Sequence, residues 1–305
     1  MDAAVLAALR EHFQDRLQEK VLLAGYTSAR IGGPADALII ARKMEELSEA
    51  AGWLWQENIP FLLLGGGSNV LVSDQGIRSV VLLNRVRSVR FNAQAPQPTV
   101  HAESGATLND IAQRAARLGL SGLEWAASIP GSLGGAVYGN AGAFGGDMAG
   151  NVISVDILKP IGRETWPVEA MNYGYRTSQL KRERPILIVL GATLKLHHGQ
   201  VETIRVKMAE NADQRRRTQP PGASLGSMFK NPNGDQAGHL LEAAGLKGAR
   251  IGSAEISRVH ANFFINTEQT RAADMRALME LAQQAVYAKF GIRLEPEIEM
   301  IGEWD

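Results

Sequence analysis

A burst of glycine between residues 128 and 146, SIPGSLGGAVYGNAGAFGG, constrains the fold of this chain more than any other feature. Glycine inside a regular element destabilises it by roughly 0.5–1 kcal/mol relative to alanine. A segment with this many glycines is therefore kept only where bare backbone is needed. Two needs explain it: positive φ in tight turns, and close approach of main-chain N–H groups to a ligand, most often a phosphate.

A second glycine-rich segment, GGGSNVLVSD over 65–74, follows the apolar run PFLLL. It is not a GxxxxGK[ST] phosphate loop, because no Lys-Ser/Thr pair follows the glycines. It is not a GxGxxG dinucleotide fingerprint either, because Val70 stands where the third glycine would be and a strand is predicted to follow. What remains is a nest of backbone N–H groups with the short polar side chains of Ser68 and Asn69. A tight β-turn is the alternative.

The stretch IPGSLGGA places Pro130 at a predicted helix start, with Ser132 and glycines in the first turn. We expect this arrangement to leave free N–H groups that favour an anion. Two glycine segments within one α/β region predict a ligand with two phosphates, clamped from two sides, such as a flavin dinucleotide. Two unrelated turns remain the alternative from the residues alone.

Composition excludes several classes of function. Lys+Arg and Asp+Glu both number 32, so no basic excess exists to neutralise a polyanion, and we expect no nucleic-acid partner. The absence of cysteine excludes disulfides, thiolate catalysis and cysteine-ligated metals. The histidines lack metal-ligand spacing, so no metal is predicted. No apolar run is long enough to cross a bilayer, and the N-terminus lacks a basic patch followed by an apolar run. We expect a cytoplasmic protein with no membrane partner.

Strand and helix patterns alternate through the first part of the chain, which predicts α/β layers. A domain boundary is expected near 199, with a C-terminal domain over 200–305. The long apolar run at 185–196 is predicted to be a strand. The closing strand is predicted to bury one face through even spacing of its apolar residues, namely Ile292, Leu294, Ile298 and Met300.

Several residues carry candidate chemistry. Arg176, in NYGYRTSQLK, is suited to holding a carboxylate with two hydrogen bonds, or to a structural ion pair. Ser227, in GASLGSMFKNP, is a candidate nucleophile, proton donor or helix cap, and no GxSxG elbow supports a hydrolase. Glutamates 295, 297 and 299 share one face of the closing strand, and repulsion allows at most one or two of them to point into a site. Arg215, Arg216 and Arg217 are interpreted as a solvated helix end.

Seven motifs occur in order along the chain: YTSARIGGPAD (26–36), LLLGGGSNVLVSDQGI (62–77), SIPGSLGGAVYGNAGAFGGD (128–147), YGYRTSQLK (173–181), GSMFKNP (226–232), AGLKGARIGSAEISRVHANFFIN (244–266) and LEPEIEMIG (294–302). Together they closely resemble the UDP-N-acetylenolpyruvoylglucosamine reductase (MurB) family of peptidoglycan precursor synthesis. The match runs from about residue 21 to 302, and the ordered set is highly specific. The short distance between YGYR and GSMFKNP resembles the shorter, type II subtype.

The resemblance implies an α+β protein with an FAD-binding fold of the vanillyl-alcohol-oxidase (PCMH) type. Its FAD-binding domain covers 1–199, as two α/β subdomains that meet near 85–95, and a substrate-binding domain follows. Both glycine segments are implied to hold the FAD pyrophosphate. The implied cofactor-binding residues are Gly65, Gly66, Gly67, Ser68, Asn69, Val70, Ile129, Pro130, Gly131, Ser132, Gly134, Gly135 and Gly142.

The family's reaction implies NADPH as the reductant and an enolpyruvyl ether of a UDP-sugar as the substrate. Arg176 matches the arginine that polarises the substrate carboxylate, Glu297 its partner acid and Ser227 the proton donor. Implied substrate contacts are Tyr138, Arg176, Lys230, Asn231 and His260. Action on small molecules as a monomer is expected.

The chain departs from the family pattern at Ser128, where many relatives have glycine, and at Thr218, where many have lysine. The second departure puts the nucleotide contacts near residue 218 in question, although Arg215 to Arg217 stand close enough in sequence to substitute. A sugar or alcohol oxidase on the same flavin-binding fold is the alternative function. A nucleotide-binding module without catalysis is a further alternative, and it leaves Arg176, Ser227 and Glu297 without a shared task.

Overall fold

Three β-sheets, each covered by its own helices, follow one another along the chain. The computed structural model describes residues 1–184 and 186–304. The first sheet has the strand order β1-β2-β5-β3, with β1 antiparallel and the others parallel. The elements of this part of the chain are α1 (Ala3–Phe13), β1 (Leu17–Leu22), β2 (Pro34–Ala41), α2 (Met44–Gln56), β3 (Phe61–Leu64), β4 (Val70–Val72) and β5 (Ile77–Asn84), and β4 pairs outside the first sheet.

The helix α2 makes the crossover between the parallel strands β2 and β3, as parallel pairing requires. One core lies between the first sheet and the helices α1 and α2, and its fully buried members include Leu9, Leu47, Leu54 and Leu82. The first sheet ends at Asn84, and the next begins at Val89. The subdomain boundary predicted near 85–95 overlaps this connection and stays a prediction.

The second sheet is antiparallel throughout, in the order β12-β11-β13-β7-β6. Its region contains β6 (Val89–Asn92), β7 (Thr99–Glu103), α3 (Leu108–Arg117), β8 (Leu120–Ser121), α4 (Leu133–Gly139), β9 (Gly142–Ala143), β10 (Gly146–Asp147), α5 (Met148–Asn151), β11 (Val152–Leu158), β12 (Arg163–Pro167), α6 (Gln179–Glu183), β13 (Ile188–Lys195), β14 (His197–His198) and α7 (Val201–Thr218). The strand predicted over 185–196 is β13, and Pro185 lies outside the described residues.

The helix α7 packs Ile204 and Met208 into the core of the second sheet. The predicted domain boundary near 199 precedes this helix, whereas the next sheet begins only at Ala223. Packing therefore groups α7 with the second sheet, and a boundary after Thr218 fits that packing better. The boundary itself stays a proposal.

The third sheet is antiparallel, in the order β15-β18-β17-β16, and packs against two helices. Phe229 and Phe264 meet edge to face in its core, 5.9 Å between ring centres. The elements are β15 (Ala223–Ser227), α8 (Ala237–Ala243), β16 (Arg250–Ile251), β17 (Ala254–Ile256), β18 (Phe263–Asn266), α9 (Ala272–Phe290) and β19 (Glu299–Ile301).

The closing strand differs from its prediction. Only Glu299–Ile301 forms a strand, and it pairs in parallel with β4 beside the first sheet. Leu294 and Ile298 are buried as predicted, but Met300 is 45 % exposed, so the regular burial pattern is wrong there. The reason is that residues 295–297 run along residues 228–230 before the chain turns to β4, and this change of partner interrupts the alternation.

Contacts between distant segments fix the third sheet against the first. The carboxylate of Asp74 accepts hydrogen bonds from the N–H groups of Ala272 (2.7 Å) and Ala273 (2.9 Å), and so caps the start of α9. Asn266 donates to the backbone oxygen of Ala29 at 2.8 Å. Across the described residues, no helix combines the length and the apolarity that crossing a bilayer requires.

Candidate active site

The two glycine-rich stretches meet in space. We call residues 65–70 the first glycine segment and residues 128–146 the second. A Cβ on Gly66 would lie 2.9 Å from the Cα of Gly131, and one on Gly65 would lie 2.4 Å from Oγ of Ser132. Ser68 also donates a hydrogen bond to the backbone oxygen of Pro130 at 3.4 Å. The segments approach this closely because glycine stands at their contact, so they belong to one site.

Backbone N–H groups of the first glycine segment face no protein acceptor. Within the described residues, the N–H groups of residues 66–69 donate no hydrogen bond. Gly67 has φ +62°, and a Cβ there would lie 2.0 Å from the backbone oxygen of Tyr26, so only glycine is accepted. Successive N–H groups around a left-handed residue form a nest for an anion. The nest interpretation of this segment is thus supported over a plain turn.

The prediction of free amides at the start of α4 is wrong. The helix begins at Leu133, and Ser132 caps it. The N–H groups of Leu133 and Gly134 donate to the backbone oxygens of Ala106 and Ser104, both at 2.8 Å. These amides fix the second glycine segment onto the second sheet and are not available to a ligand. Within the described residues, the N–H groups of Gly131 and Ser132 just before the helix donate no hydrogen bond, so the second segment can offer an anion these two groups and not those of the helix.

Arg176 and Glu297 form an ion pair across the region between the second sheet and the C-terminal segment. Nε of Arg176 lies 2.8 Å from Oε1 of Glu297, without the alignment of a hydrogen bond. Nη2 of Arg176 donates to the backbone oxygen of Gly142 at 2.8 Å. The arginine side chain is 25 % exposed and the glutamate 18 %. The guanidinium thus lies between the second glycine segment and a carboxylate.

Burial raises the pKa of Glu297 above its ordinary value, and the nearby cations Arg176, Lys181 and Lys230 oppose this without reversing it. Both backbone polar groups of Glu297 are hydrogen-bonded. Its N–H donates to Met228 at 2.9 Å, and its carbonyl oxygen accepts from the side chain of Asn69 at 3.1 Å. The first glycine segment therefore positions the acid directly.

The other two glutamates have their own cationic partners. Glu295 pairs with Lys230, and Glu299 pairs with Lys181 at 3.3 Å and Arg184 at 2.8 Å. Glu295 is 70 % exposed, whereas Glu299 is 18 % exposed. Cations between the acids lower the mutual repulsion that the sequence pattern implied.

Ser227 is the last residue of β15, opposite Phe263 after a bulge in the ladder. It is half-buried, and its neighbour Met228 accepts the hydrogen bond from the N–H of Glu297. Within the described part of the chain, its hydroxyl makes no hydrogen bond to protein. Arg176 and Glu297 are thus joined by their ion pair, and Ser227 is connected to Glu297 through its neighbour Met228.

An open cleft of about 330 Å³ adjoins Arg176. The hydroxyl of Tyr173 is buried at this cleft and has no hydrogen-bond partner among the described residues. Burial raises the pKa of this phenol. The residues that line the cleft are Asn140, Asp147, Ala149, Tyr173, Gly174, Tyr175 and Arg176.

Two of the other residues predicted to contact substrate, Tyr138 and Lys230, interact with residues near the ion pair of Arg176 with Glu297. Tyr138 is half-buried, and burial, aided by the Glu299 carboxylate, raises the pKa of its phenol. Its backbone oxygen accepts from Ser178 at 2.6 Å. The ammonium of Lys230 pairs with Glu295 at the edge of the same region. Their contacts with substrate stay predictions.

The other two have visible structural tasks. The side-chain oxygen of Asn231 accepts from the N–H of Ala237 at 3.1 Å, at the start of α8. Nδ1 of His260 accepts from the N–H of Asn262 at 3.2 Å, and burial lowers the pKa of this imidazole. Their roles in substrate binding also stay predictions.

Sequence reasoning missed Arg215 and Asn140. Arg215 was interpreted as part of a solvated helix end, but it is half-buried, and Nη1 donates to the backbone oxygen of Ser128 at 2.7 Å. Burial lowers the pKa of this guanidinium. Asn140 is buried and hydrogen-bonded behind Arg176. No local pattern signalled either contact, because both reach backbone oxygens from a distant part of the chain.

These features fit FAD as the bound group. Gly65, Gly66 and Gly131 form a closely packed cradle in which a Cβ on any of them would clash with the facing segment, and the N–H groups of residues 66–69 donate to no described residue. Oγ of Ser128 is buried without a partner among the described residues. Residues 35–166 match the FAD binding domain family. The fold and site therefore define an FAD-dependent oxidoreductase.

Comparison with individual proteins narrows this class. Residues 217–301 match the family described as the C-terminal domain of UDP-N-acetylenolpyruvoylglucosamine reductase. The reductase of that name from Chloroflexus aggregans is 38 % identical over 96 % of this chain and 100 % of its own length. The one from Rubrobacter xylanophilus is 41 % identical over 92 % and 94 %, respectively. The crystal structure of the enzyme (MurB) from Thermus caldophilus superposes with a TM-score of 0.80 at 36 % identity, covering 93 % of this chain and 98 % of the other. The chain belongs to the UDP-N-acetylenolpyruvoylglucosamine reductase family.

Proposed function

We propose that this chain reduces UDP-N-acetylenolpyruvoylglucosamine to UDP-N-acetylmuramate with NADPH, in peptidoglycan precursor synthesis. The observation that carries the proposal is the junction of the first glycine segment with the acid of the site, where Asn69 holds the backbone of Glu297. Bound FAD supplies the transfer of a hydride from NADPH to C3 of the enolpyruvyl group. The protein's own side chains then have to manage the charge and the proton at C2.

Arg176 is proposed to bind the substrate carboxylate. Hydride arrival at C3 leaves negative charge at C2, which spreads into the adjacent carboxylate, and a fixed guanidinium stabilises it. Arg176 contacts a backbone oxygen at Nη2 and a carboxylate at Nε, so its orientation is set before substrate binds. Preorganised charge of this kind is usually the largest single contribution to catalysis.

Glu297 is proposed to be the acid that holds Arg176 in place. Its raised pKa keeps a larger share of the carboxyl protonated than in water, while the ion pair favours the charged form. Because burial and the ion pair oppose each other, the charge on Glu297 can change as negative charge forms on the substrate and is then neutralised. Because Asn69 fixes its backbone, Glu297 connects the cofactor segment to the reacting carboxylate.

Ser227 is proposed to donate the proton to C2. A serine hydroxyl is a weak acid in water, so this role depends on placement and on a polarising neighbourhood. Its place at the end of β15, one residue before the partner of Glu297, supports such placement. No competing hydrogen bond to the described residues holds the hydroxyl elsewhere.

The test is NADPH oxidation by the FAD-loaded protein with and without the enolpyruvyl substrate. We expect consumption of NADPH to depend on the substrate and to yield UDP-N-acetylmuramate. Equal consumption without substrate, at the expense of oxygen, would favour the alternative of a flavin oxidase. Action as a monomer, a cytoplasmic location and the absence of a metal stay predictions.

A further inference from the structure

The backbone of Arg176 is held in an unusual conformation. Gly174 and Thr177 exchange two backbone hydrogen bonds of 3.1 and 3.2 Å, which close a tight turn around Tyr175 and Arg176. Arg176 sits at the third position of that turn with φ +54°. Glycine or asparagine normally occupies such a position. A bulky residue there persists only where surrounding structure over-determines it.

Asn140 supplies that surrounding structure. Its side-chain Nδ2 donates to the backbone oxygen of Gly174 at 2.9 Å, while its Oδ1 accepts from the N–H of Ala149 at 3.0 Å. The residue is 4 % exposed. One side chain therefore connects the turn of Arg176 with the chain that follows the second glycine segment.

The side chain of Arg176 is anchored on the same stretch. Its Nη2 donates to the backbone oxygen of Gly142, two residues beyond Asn140. The second glycine segment thus holds Arg176 at two points, through the turn backbone and through the guanidinium. Loss of the hydrogen bond from Asn140 to Gly174 releases the turn from this segment and lets the guanidinium of Arg176 shift relative to the site.

Asn140 also has a task that does not depend on its side chain. It ends α4 with left-handed dihedral angles, φ 47° and ψ 58°, and its N–H bonds to the oxygen of Ala136. Glycine performs this capping at least as well. Replacement by glycine therefore removes the side-chain contacts and keeps the helix end, which separates the two tasks.

We propose that Asn140 is a positioning residue that acts through Arg176 in the reduction of the enolpyruvyl substrate. The inference rests on the proposed function. It assigns the Asn140 amide to the second half of the reaction, where Arg176 faces the substrate carboxylate, and not to flavin reduction by NADPH.

The test compares Asn140→Gly with Asn172→Gly in the FAD-loaded protein. Asn172 is an exposed left-handed residue with φ 41°, just ahead of the same turn, and its side chain bonds to Gln179 instead of the backbone oxygen of Gly174. Stopped-flow absorbance follows flavin reduction by NADPH and then reoxidation by the substrate. We expect Asn140→Gly to keep its flavin content and reduction rate and to slow reoxidation, on the order of 100-fold for a shift of about 1 Å. Asn172→Gly is expected to match the wild type.

A double variant isolates the route of the effect. If Asn140 acts through Arg176, reoxidation by Asn140→Gly/Arg176→Ala is no slower than by Arg176→Ala alone. Independent, multiplying losses would overturn the inference, as would equal slowing of both half-reactions by Asn140→Gly. A wild-type flavin that the substrate fails to reoxidise would instead overturn the proposed function, and the inference with it.

Discussion

The Nε atom of Arg176 lies 2.8 Å from Oε1 of Glu297, which joins a turn beside the second sheet to the last segment of the chain. The two residues are far apart in the sequence, and each is hydrogen-bonded to one of the glycine segments. Arg176 bonds to Gly142 in the second, and Asn69 of the first bonds to the backbone of Glu297. The two glycine segments and the ion pair of Arg176 with Glu297 are consequently parts of one network.

Ser227→Ala is expected to separate the two half-reactions. Flavin reduction by NADPH should stay near the wild-type rate, whereas reoxidation by substrate should slow by about 10²–10⁴-fold, the usual contribution of a positioned proton donor. Stopped-flow absorbance of the flavin measures both steps. Ser224→Ala, in the same strand, is the matched control and should behave as wild type. Equal slowing of both steps in Ser227→Ala would make the serine structural.

Gly66→Ala is expected to weaken FAD binding. The added Cβ would lie 2.9 Å from the Cα of Gly131, so the two glycine segments would have to separate. Titration of the apoprotein with FAD, followed by flavin fluorescence, measures the affinity. Gly139→Ala is the control, because a Cβ there meets no atom within 4 Å. Unchanged affinity in Gly66→Ala would mean that the cradle does not hold the cofactor.

These glycines illustrate how far sequence reasoning reaches. A dense glycine run limits what its backbone can do, so the close approach of the two segments to each other was predictable from residue type. Residue type did not predict which backbone N–H groups are free and which are hydrogen-bonded to protein. Free N–H groups were expected at the start of α4, but carbonyl oxygens from the loop after β7 accept from those of Leu133 and Gly134. Such acceptors come from another part of the chain and leave no local pattern.

The same limit explains the closing segment. The even spacing of apolar residues predicted one long strand, yet residues 295–297 pair with residues 228–230 and only Glu299–Ile301 pairs with β4. The partner changes within a few residues, which periodicity does not record. The side-chain bonds of Asn69 and Asn140 to backbone oxygens are likewise tertiary, and no sequence pattern specified them.

Glu297→Gln is expected to change the pH dependence of stability. Because burial raises the folded-state pKa above its ordinary value of 4.5, the folded protein binds more protons than the unfolded chain just above that pH. The free energy of unfolding of the wild type therefore falls as the pH rises from 4.5 through the raised pKa of Glu297. The glutamine variant has no group that titrates there, so this decrease is absent. The free energy of unfolding of the variant should increase relative to wild type across this window, by at most about 1.4 kcal/mol per pH unit.

Denaturant unfolding of both proteins in a series of buffers measures this difference. Glu295→Gln is the control, since the Glu295 side chain is 70 % exposed and lacks the burial that produces the trend at Glu297. A relative stability of the Glu297→Gln variant that falls over the same window would mean that the ion pair with Arg176 outweighs burial.

Asp74→Ala is expected to loosen the third sheet from the first. The Asp74 carboxylate caps α9 from a distant part of the chain, and loss of such a cap costs about 0.5–2 kcal/mol. Denaturant unfolding measures the loss. Asp74→Asn should recover part of it, because an amide oxygen still accepts one of the two N–H bonds. Equal stability of Asp74→Ala and wild type would contradict the role of this contact.

We expect the glycine cradle, Arg176, Glu297 and Ser227 to act together as one reducing site. The decisive measurement is the rate of NADPH oxidation by the purified, FAD-loaded protein before and after addition of UDP-N-acetylenolpyruvoylglucosamine, with product identified by mass. We expect slow oxidation that accelerates sharply on addition and one UDP-N-acetylmuramate formed per NADPH consumed. A rate that is unchanged by the substrate, with no product of that mass, would contradict this expectation.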